Sequence, residues 1–124
     1  MIPARWPDVR LWAITRAKTM TGSVKVSAER DEALKSQVVI SVAPAQRDTH
    51  VSRVFLVTAE CWAPDKGAAL ALAGEVAYAW ESAPKDCNPV VRFADGGSGP
   101  NEARDAAGNY FYDVTVPVVI YRLP

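Results

Sequence analysis

The sequence predicts an α+β domain: a mixed, mostly antiparallel sheet of about five strands flanked by two helices, in the order α-β-β-β-α-β-β. Three observations lead to this fold class. Residues 51–62 alternate between two faces like a strand, and residues 110–122 do the same. Residues 68–80 instead repeat apolar side chains every three or four positions, like a helix. At 124 residues, the chain is predicted to be a single domain, residues 1–124.

The first helix is predicted to begin at Pro7 and Asp8. Proline suits the first turn, and a carboxylate is favoured beside the free N–H groups there. Gly22 predicts the end of this helix, because glycine commonly follows a helix C-terminus. Six residues share the face that is expected to pack inward: Val9, Trp12, Ala13, Arg16, Ala17 and Met20.

Two strands and a polar connection follow the first helix. Residues 23–28 alternate as a short strand with its valines inward, and residues 37–42 form the second strand. The polar segment 29–36 is predicted to be a turn-like connection. Residues 43–50 are predicted to be a hairpin-length loop that leads into the central strand.

Residues 51–82 form the unit around which the rest of the chain is organised. Its strand places Phe55, Val57, Ala59 and Cys61 on one face, which is assigned to the core. Pro64 stops the strand because proline has no N–H for a ladder, and Asp65 then suits a helix N-terminus. The helix presents an inward face that consists of Ala68, Leu72, Val76, Ala79 and Trp80.

The last third of the chain is predicted to add two strands. Residues 89–94 form the first, and residues 110–122 form the second. Residues 95–108, which are rich in Gly, Asn and Asp, are predicted to be a loop. Pro117 removes one ladder donor from the last strand, which predicts a sheet edge or a bulge near that position.

Composition weakens several function classes. The chain has 14 basic and 14 acidic residues, so no global field steers it onto nucleic acid or membrane, and self-association is compatible with this balance. Cys61 and Cys87 are not expected to form a disulfide, since nothing suggests an oxidising compartment. No stretch is long and apolar enough for a signal peptide or a membrane span, so we expect a protein made and kept in a cytoplasm.

The sequence carries no pattern typical of a catalytic, metal or cofactor site. The GGSGPN stretch lacks the phosphate-binding pattern and has no lysine to reach a phosphate. His50 is the only histidine, and its neighbours Asp48 and Ser52 lie at a loop end, unlike a nucleophile on a strained turn. One histidine and two distant cysteines do not make a zinc site. The chain is therefore not expected to be an enzyme.

Two segments carry a resemblance to a known family: VFLVTAECWAPDKGAALALAGEVAYAW at residues 54–80 and YFYDVTVPVVIYR at residues 110–122. With the order of the other segments, they resemble the tail terminator family of long-tailed (siphovirus-type) bacteriophages over about residues 38–122. The resemblance implies a homohexameric ring that caps the tail tube, stops its polymerisation and joins the tail to the head. It implies a virion protein, assembled in the host cytoplasm, whose lumen passes DNA without sequence-specific binding. The implied partners are copies of itself, the tail tube protein and a head-side connector or stopper protein.

A ring needs a heterologous interface whose rotation closes. The hairpin tip at residues 43–50, the loop at residues 95–108 and the strand near Pro117 are the expected contact regions. The candidate interface residues are Arg47, Asp48, His50, Asn101, Arg104, Asp105 and Pro117. Two alternatives stay open: another neck protein, such as a head–tail stopper or a tail completion protein, and a small ligand-binding α+β domain.

Overall fold

The computed structural model describes residue 6 and residues 8–48, 52–82, 91–93, 97–107 and 109–121. Within them the chain forms two helices and six strands, which confirms the α+β class with one strand more than predicted. In chain order the elements are α1 (Val9–Thr21), β1 (Lys25–Ser27), β2 (Gln37–Asp48), β3 (Ser52–Trp62), α2 (Lys66–Glu81), β4 (Val91–Phe93), β5 (Ser98–Arg104) and β6 (Tyr110–Tyr121).

The strands form one mixed sheet in the order β1-β2-β3-β6-β4, and β5 also pairs with β6. β1 and β2 are parallel, while the other neighbours are antiparallel. β3 and β6 are paired along their lengths, from Ser52 opposite Tyr121 to Trp62 opposite Phe111. This pair is the middle of the sheet, and the remaining strands lie outside it.

Both helices pack on one face of the sheet and bury it. The core contains alternate residues of β3 and β6 together with the inward faces of the helices. Trp80, which is fully buried, donates its indole N–H to the carbonyl of Ala13 at 3.0 Å. The guanidinium of Arg16 donates to the carbonyl of Ala79 at 3.0 and 3.3 Å. The two helices are therefore joined by directed hydrogen bonds as well as by apolar packing.

The helix boundaries follow the predicted capping residues. Asp8 accepts a hydrogen bond from the Leu11 N–H at 3.0 Å, and Asp65 accepts one from the Ala68 N–H at 2.8 Å. Such caps satisfy N–H groups that have no partner within the helix. Gly22 follows α1 with a positive φ of 63°, which glycine adopts without strain.

The predicted inward faces of the helices were each wrong at one position. In α1, Thr21 is buried whereas Met20 is 41% exposed. In α2, Ala69 is buried and Ala68 is exposed. Two consecutive alanines fit the helical period about equally, so the rotation of α2 is decided by how Leu72, Val76 and Trp80 fit the sheet.

Two predicted loops are partly strand. The predicted loop 43–50 is wrong for residues 43–48, because β2 stays paired with β3 as far as Pro44 opposite Phe55 and pairs again at Asp48 opposite Arg53. A register shift between these positions accommodates the irregular residues. The predicted loop 95–108 contains β5, because β6 extends far enough beyond β4 to pair with a second strand. Long-range pairing overrides the local turn composition in both places.

The prediction of a sheet edge at Pro117 is wrong. β6 lies between β3 and the β4 and β5 strands, and Pro117 is buried opposite Leu56. On the side of β6 that faces away from β3, β5 pairs with β6 up to Thr115, and β4 pairs with β6 from Val118 onward. The proline therefore lies where the ladder on that side is interrupted. The alternative expectation of an irregularity near this point agrees with the register shift in β5.

The close approach of β5 to β6 gives a stability prediction at two glycines. Gly99 has a φ of 106°, and a Cβ there would lie 2.5 Å from the carbonyl oxygen of Asp113. Gly74 lies within α2, and a Cβ there would meet nothing within 4 Å. We expect Gly99→Ala to lower the free energy of unfolding by roughly 1–3 kcal/mol. Its control, Gly74→Ala, should raise this free energy by about 0.5–1 kcal/mol.

Urea denaturation followed by far-UV circular dichroism measures both changes. Equal effects of the two substitutions would contradict the crossing of residues 97–99 over β6.

Candidate interaction surface

The sheet has outer strands on two opposite sides. β1 pairs only with residues 37–39 of β2, so residues 40–48 have β3 on one side and no described strand on the other. On the far side of the sheet, β4 and β5 pair with β6 alone among the described strands. An unpaired strand edge presents N–H and C=O groups that another chain can pair with. The molecule thus offers two backbone edges, one on each side.

The face of the sheet that the helices leave uncovered is called the open face here. It consists of the side chains that alternate with the core positions: Val39, Ser41, Ala43, Leu56, Thr58, Glu60, Asp113 and Thr115. Leu56 is 38% exposed on it. The hydroxyl oxygens of Thr58 and Thr115 lie 3.0 Å apart, so one donates to the other across the two central strands.

Two carboxylates oppose each other on the open face. Glu60 of β3 lies directly across from Asp113 of β6. Burial raises the pKa of Glu60, and the negative charge of Asp113 raises it further, while Arg30 and the indole of Trp62 act in the opposite direction. Like charges directly opposite in a sheet are destabilising. The isolated chain therefore carries an unfavourable contact on this surface.

The connection between β1 and β2 covers one end of the open face. Gln37, which is 1% exposed, holds this segment by accepting from the Asp31 N–H at 2.9 Å and donating to the carbonyls of Asp31 at 2.7 Å and Leu34 at 3.1 Å. Arg30 lies with its guanidinium carbon 3.8 Å from the ring centroid of Trp62. The Phe111 ring is 4.3 Å from the Trp62 ring, centroid to centroid. Trp62 thereby contacts both a cation and a second aromatic ring.

Asp105 ties this covered end to the turn between β5 and β6. It accepts from the Asn109 N–H at 2.8 Å, from the Asn109 amide at 3.1 Å and from Arg30 at 2.9 Å. These bonds lower the pKa of Asp105 to about 2, with the backbone of Asn109 as the largest cause. Asp105 was predicted as an interface residue, and its carboxylate here serves contacts within the chain.

A cleft of about 550 Å³ lies between the β1–β2 connection and the start of α2. Its walls include Arg30, Lys35, Trp62, Lys66 and Tyr110. Lys66 forms an ion pair of 2.8 Å with Glu102, and Arg30 is paired with Asp105. Two of the three cations on its walls therefore already have carboxylate partners, and the cleft presents no clear set of charges for a ligand.

Four of the seven predicted interface residues fall on outer strands, whereas Asp105 lies in the turn after β5 and Pro117 lies on the central strand β6. Arg47 and Asp48 lie on β2, whereas Asn101 and Arg104 lie exposed on β5. His50 lies outside the described residues. The guanidinium of Arg104 donates to the hydroxyl of Tyr110 and lies 4.4 Å from the centroid of its ring.

The structure does not bring these predicted residues together. Asp48 lies opposite Arg53 at one end of β3, and Arg104 lies near the other end of the sheet, opposite Tyr110. The length of β3 between these ends is roughly 30 Å. The two groups therefore belong to different surfaces of the molecule, one on each side.

Three features of this surface were missed by reasoning from the sequence: the carboxylate pair, Arg30 and the role of Trp62. Asp113 is the only charged residue of β6, and Glu60 is the only charged residue of β3 apart from Arg53 near its start, so an isolated charge in a strand was a usable signal. No local signal marked Arg30, because its contacts with Trp62 and Asp105 join residues far apart in the chain.

The buried thiol and the acidic groups give no further site. Burial, and then the charges of Asp113 and Glu60, raise the pKa of Cys61 to about 12, so the thiol stays protonated. The described residues contain no group of three or more His, Cys, Asp or Glu side chains that could hold a metal ion. Neither described helix is both long and apolar enough to cross a membrane.

Comparison with known proteins gives no relative from which a function can be taken. No model of a known protein family matches the chain, and no curated protein matches it significantly. The resemblance to tail terminators therefore stays a prediction from residue patterns.

The carboxylate pair gives a prediction for stability against pH. The pKa of Glu60 is higher in the folded chain than its usual 4.5, so its ionisation costs folding free energy as pH rises through the folded pKa. We expect Glu60→Gln to unfold at a higher urea concentration than the wild type at pH 7. This advantage should disappear below pH 4.5, where the carboxyl is protonated in both states.

Glu75→Gln is the matched control, because Glu75 is exposed on α2. This control substitution should change the urea midpoint little, both at pH 7 and below pH 4.5. A Glu60→Gln variant that is less stable than the wild type at pH 7 would show that Glu60 has a favourable partner instead.

Proposed function

We propose that the chain is a structural subunit of a bacteriophage virion: a tail terminator that forms a ring on the tail tube, stops its polymerisation and joins the tail to the head. The sequence resemblance supports this proposal through two segments. The first coincides with the unit of β3, the corner at Pro64 and α2, and the second with β6. The observed α+β fold, with its mixed sheet and two helices, is the one that the resemblance implies.

The observation that carries the proposal is the placement of the two free edges on opposite sides of one sheet. A contact between the β2 edge of one copy and the β5 edge of the next joins two different surfaces, so it is heterologous. Heterologous contacts repeat in one direction and close into a ring when the rotation allows. Each contact would pair backbone groups that the isolated chain leaves without a described strand partner.

Irregularities on both edges favour a selective contact over open-ended aggregation. β2 carries Pro44 and a register shift, and β5 carries Pro100 and a register shift. Prolines and bulges on edge strands prevent indiscriminate pairing with other strands. An edge that accepts few partners is suited to a ring, because a smooth edge would also accept unrelated strands.

The balanced charge of the chain agrees with the proposed passage of DNA through the lumen. Sequence-independent DNA affinity comes from cations that neutralise phosphates. With 14 basic and 14 acidic residues, the subunit has no excess of cations for that purpose. The tail tube protein and a head-side connector or stopper protein are the proposed partners on the two sides of the ring.

A small ligand-binding domain is the second candidate, and the cleft at the start of α2 is the observation that favours it. Another neck protein, such as a stopper or a completion protein, could use the same edges. Ring formation and its effect on tail tube growth distinguish a tail terminator from both alternatives.

Electron microscopy of the purified chain tests the ring directly. We expect closed rings with a central hole, alone or on isolated tail tubes. In the double variant Ser41→Glu/Ala43→Glu, two carboxylates would stand on the exposed β2 edge. Charged side chains on an edge strand oppose pairing with another strand, so the rings should be lost. The matched control is Leu11→Glu/Thr15→Glu on the exposed side of α1, which should leave the rings unchanged.

Tube assembly distinguishes a terminator from the other neck proteins. Addition of the chain to polymerising tail tube protein should stop the growth of the tubes, whereas a stopper or completion protein should leave tube length unchanged. If sedimentation shows only monomer in the presence of tubes, the proposed function is wrong.

A further inference from the structure

α2 carries a second apolar stripe that faces away from the sheet. Its inward face is buried through Ala69, Leu72, Ala73, Val76, Ala79 and Trp80. On the opposite side, Leu70 is 44% exposed and Tyr78 is 61% exposed. Ala71 and Gly74 lie between them on the same side, Gly67 lies one turn before Leu70, and all three are exposed. A helix that is apolar on both sides is expected to be covered on both, and no described element of the chain covers this stripe.

The spacing along the stripe is symmetric about Gly74. Leu70 precedes Gly74 by four residues and Tyr78 follows it by four, about one helical turn on each side. Two such helices in antiparallel orientation, related by a two-fold axis at Gly74, bring Leu70 of each copy level with Tyr78 of the other. Space around Gly74 is open, since a Cβ there would have no neighbour within 4 Å. The small residues at the centre therefore allow the two helices to approach closely.

Charges at the ends of the stripe match the same arrangement. Lys66 begins α2 and Glu81 ends it, so the antiparallel pairing places Lys66 of each copy beside Glu81 of the other. Each residue turns the helix by about 100°, which places Lys66 and Glu81 to the same side of the line that joins Leu70 and Tyr78. The side chain of Lys66 is 55% exposed although it pairs with Glu102, so a second carboxylate can approach it. A parallel pairing would instead place like charges together at both ends.

From these observations we infer that α2 docks against α2 of a second copy of this chain, antiparallel, about a two-fold axis at Gly74. This contact is isologous, because both copies use the same surface. It is separate from the heterologous contact through the sheet edges and does not depend on it. In a molecule that has both contacts, the α2 pair would join subunits of two different rings.

The contact is expected to be weak when it acts alone. α2 has 16 residues and is thus about 24 Å long, so the interface lies at the small end of specific contacts. Interfaces of this size belong to weak or transient contacts, so the dimer is expected to form only at high protein concentration.

Sedimentation of the full chain between roughly 1 and 200 µM tests this inference. The measurement uses the Ser41→Glu/Ala43→Glu background, so that contacts through the β2 edge do not contribute. We expect a monomer–dimer equilibrium. Adding Gly74→Glu should weaken the dimer at least about tenfold, because two carboxylates would meet at the axis. Glutamate is a better helix former than glycine, so loss of dimer through unfolding of α2 is not expected.

Thr15→Glu on α1 is the matched control and should leave the dimer unchanged, because Thr15 is exposed on the other helix and is not part of the α2 stripe. A chain that remains monomeric over this range overturns the inference. A dimer that Gly74→Glu does not weaken also overturns it. Neither result bears on the edge contact or on the ring.

A cysteine at the axis gives an independent readout. In a Cys87→Ser background, Gly74→Cys should form a disulfide-linked dimer under mild oxidation, because a two-fold axis brings the two Cα atoms within the range that a disulfide needs. Thr15→Cys should crosslink far more slowly, and the buried Cys61 is present in both variants. Equal crosslinking of the two variants contradicts the proposed axis. If the thiol introduced by Gly74→Cys is protected from alkylation only in the presence of tail tubes, the stripe belongs to a contact with another protein, and self-docking is overturned.

Discussion

The pairing of β3 with β6 is the constraint on which the rest of the structure depends. Their ladder runs from Ser52 opposite Tyr121 to Trp62 opposite Phe111 without a register shift. Because side chains alternate across a strand, this single register decides which residues meet the helices and which form the open face. A slip of one residue would move Val57 and Ala59 out of the core and Glu60 into it, at a large cost in free energy.

The same register also produces the features that carry function. It places Glu60 against Asp113 and Thr58 against Thr115 on the open face. It leaves residues 40–48 of β2 and the outer side of β5 as edges on opposite sides, since the central pair occupies the middle of the sheet. The helices cover one face only, so α2 has to present its second stripe away from the sheet. Each surface proposed for contact between copies follows from how one pair of strands is aligned.

Residues far apart in the chain explain where the sequence predictions were wrong. β5 lies in a segment whose composition is typical of a loop, and it becomes a strand because β6 offers a partner beyond β4. A proline such as Pro117 is typical of an edge strand, but Pro117 is buried in a central strand. It lies where neither β4 nor β5 pairs with β6. Arg30 had no distinguishing pattern in the sequence, and its role comes from Trp62 and Asp105. None of these contacts has a local signal.

The sequence by itself determined the helix boundaries and the inward face of β3. Asp8, Asp65 and Gly22 act on groups within a few residues of themselves, and alternation along β3 needs only its own side chains. The tertiary structure alone decided the outer strands, the rotation that buries Ala69 instead of Ala68, and the meeting of Glu60 with Asp113. The physical reason is that capping and periodicity are local, whereas edges, faces and cross-strand pairs depend on which distant segments lie side by side.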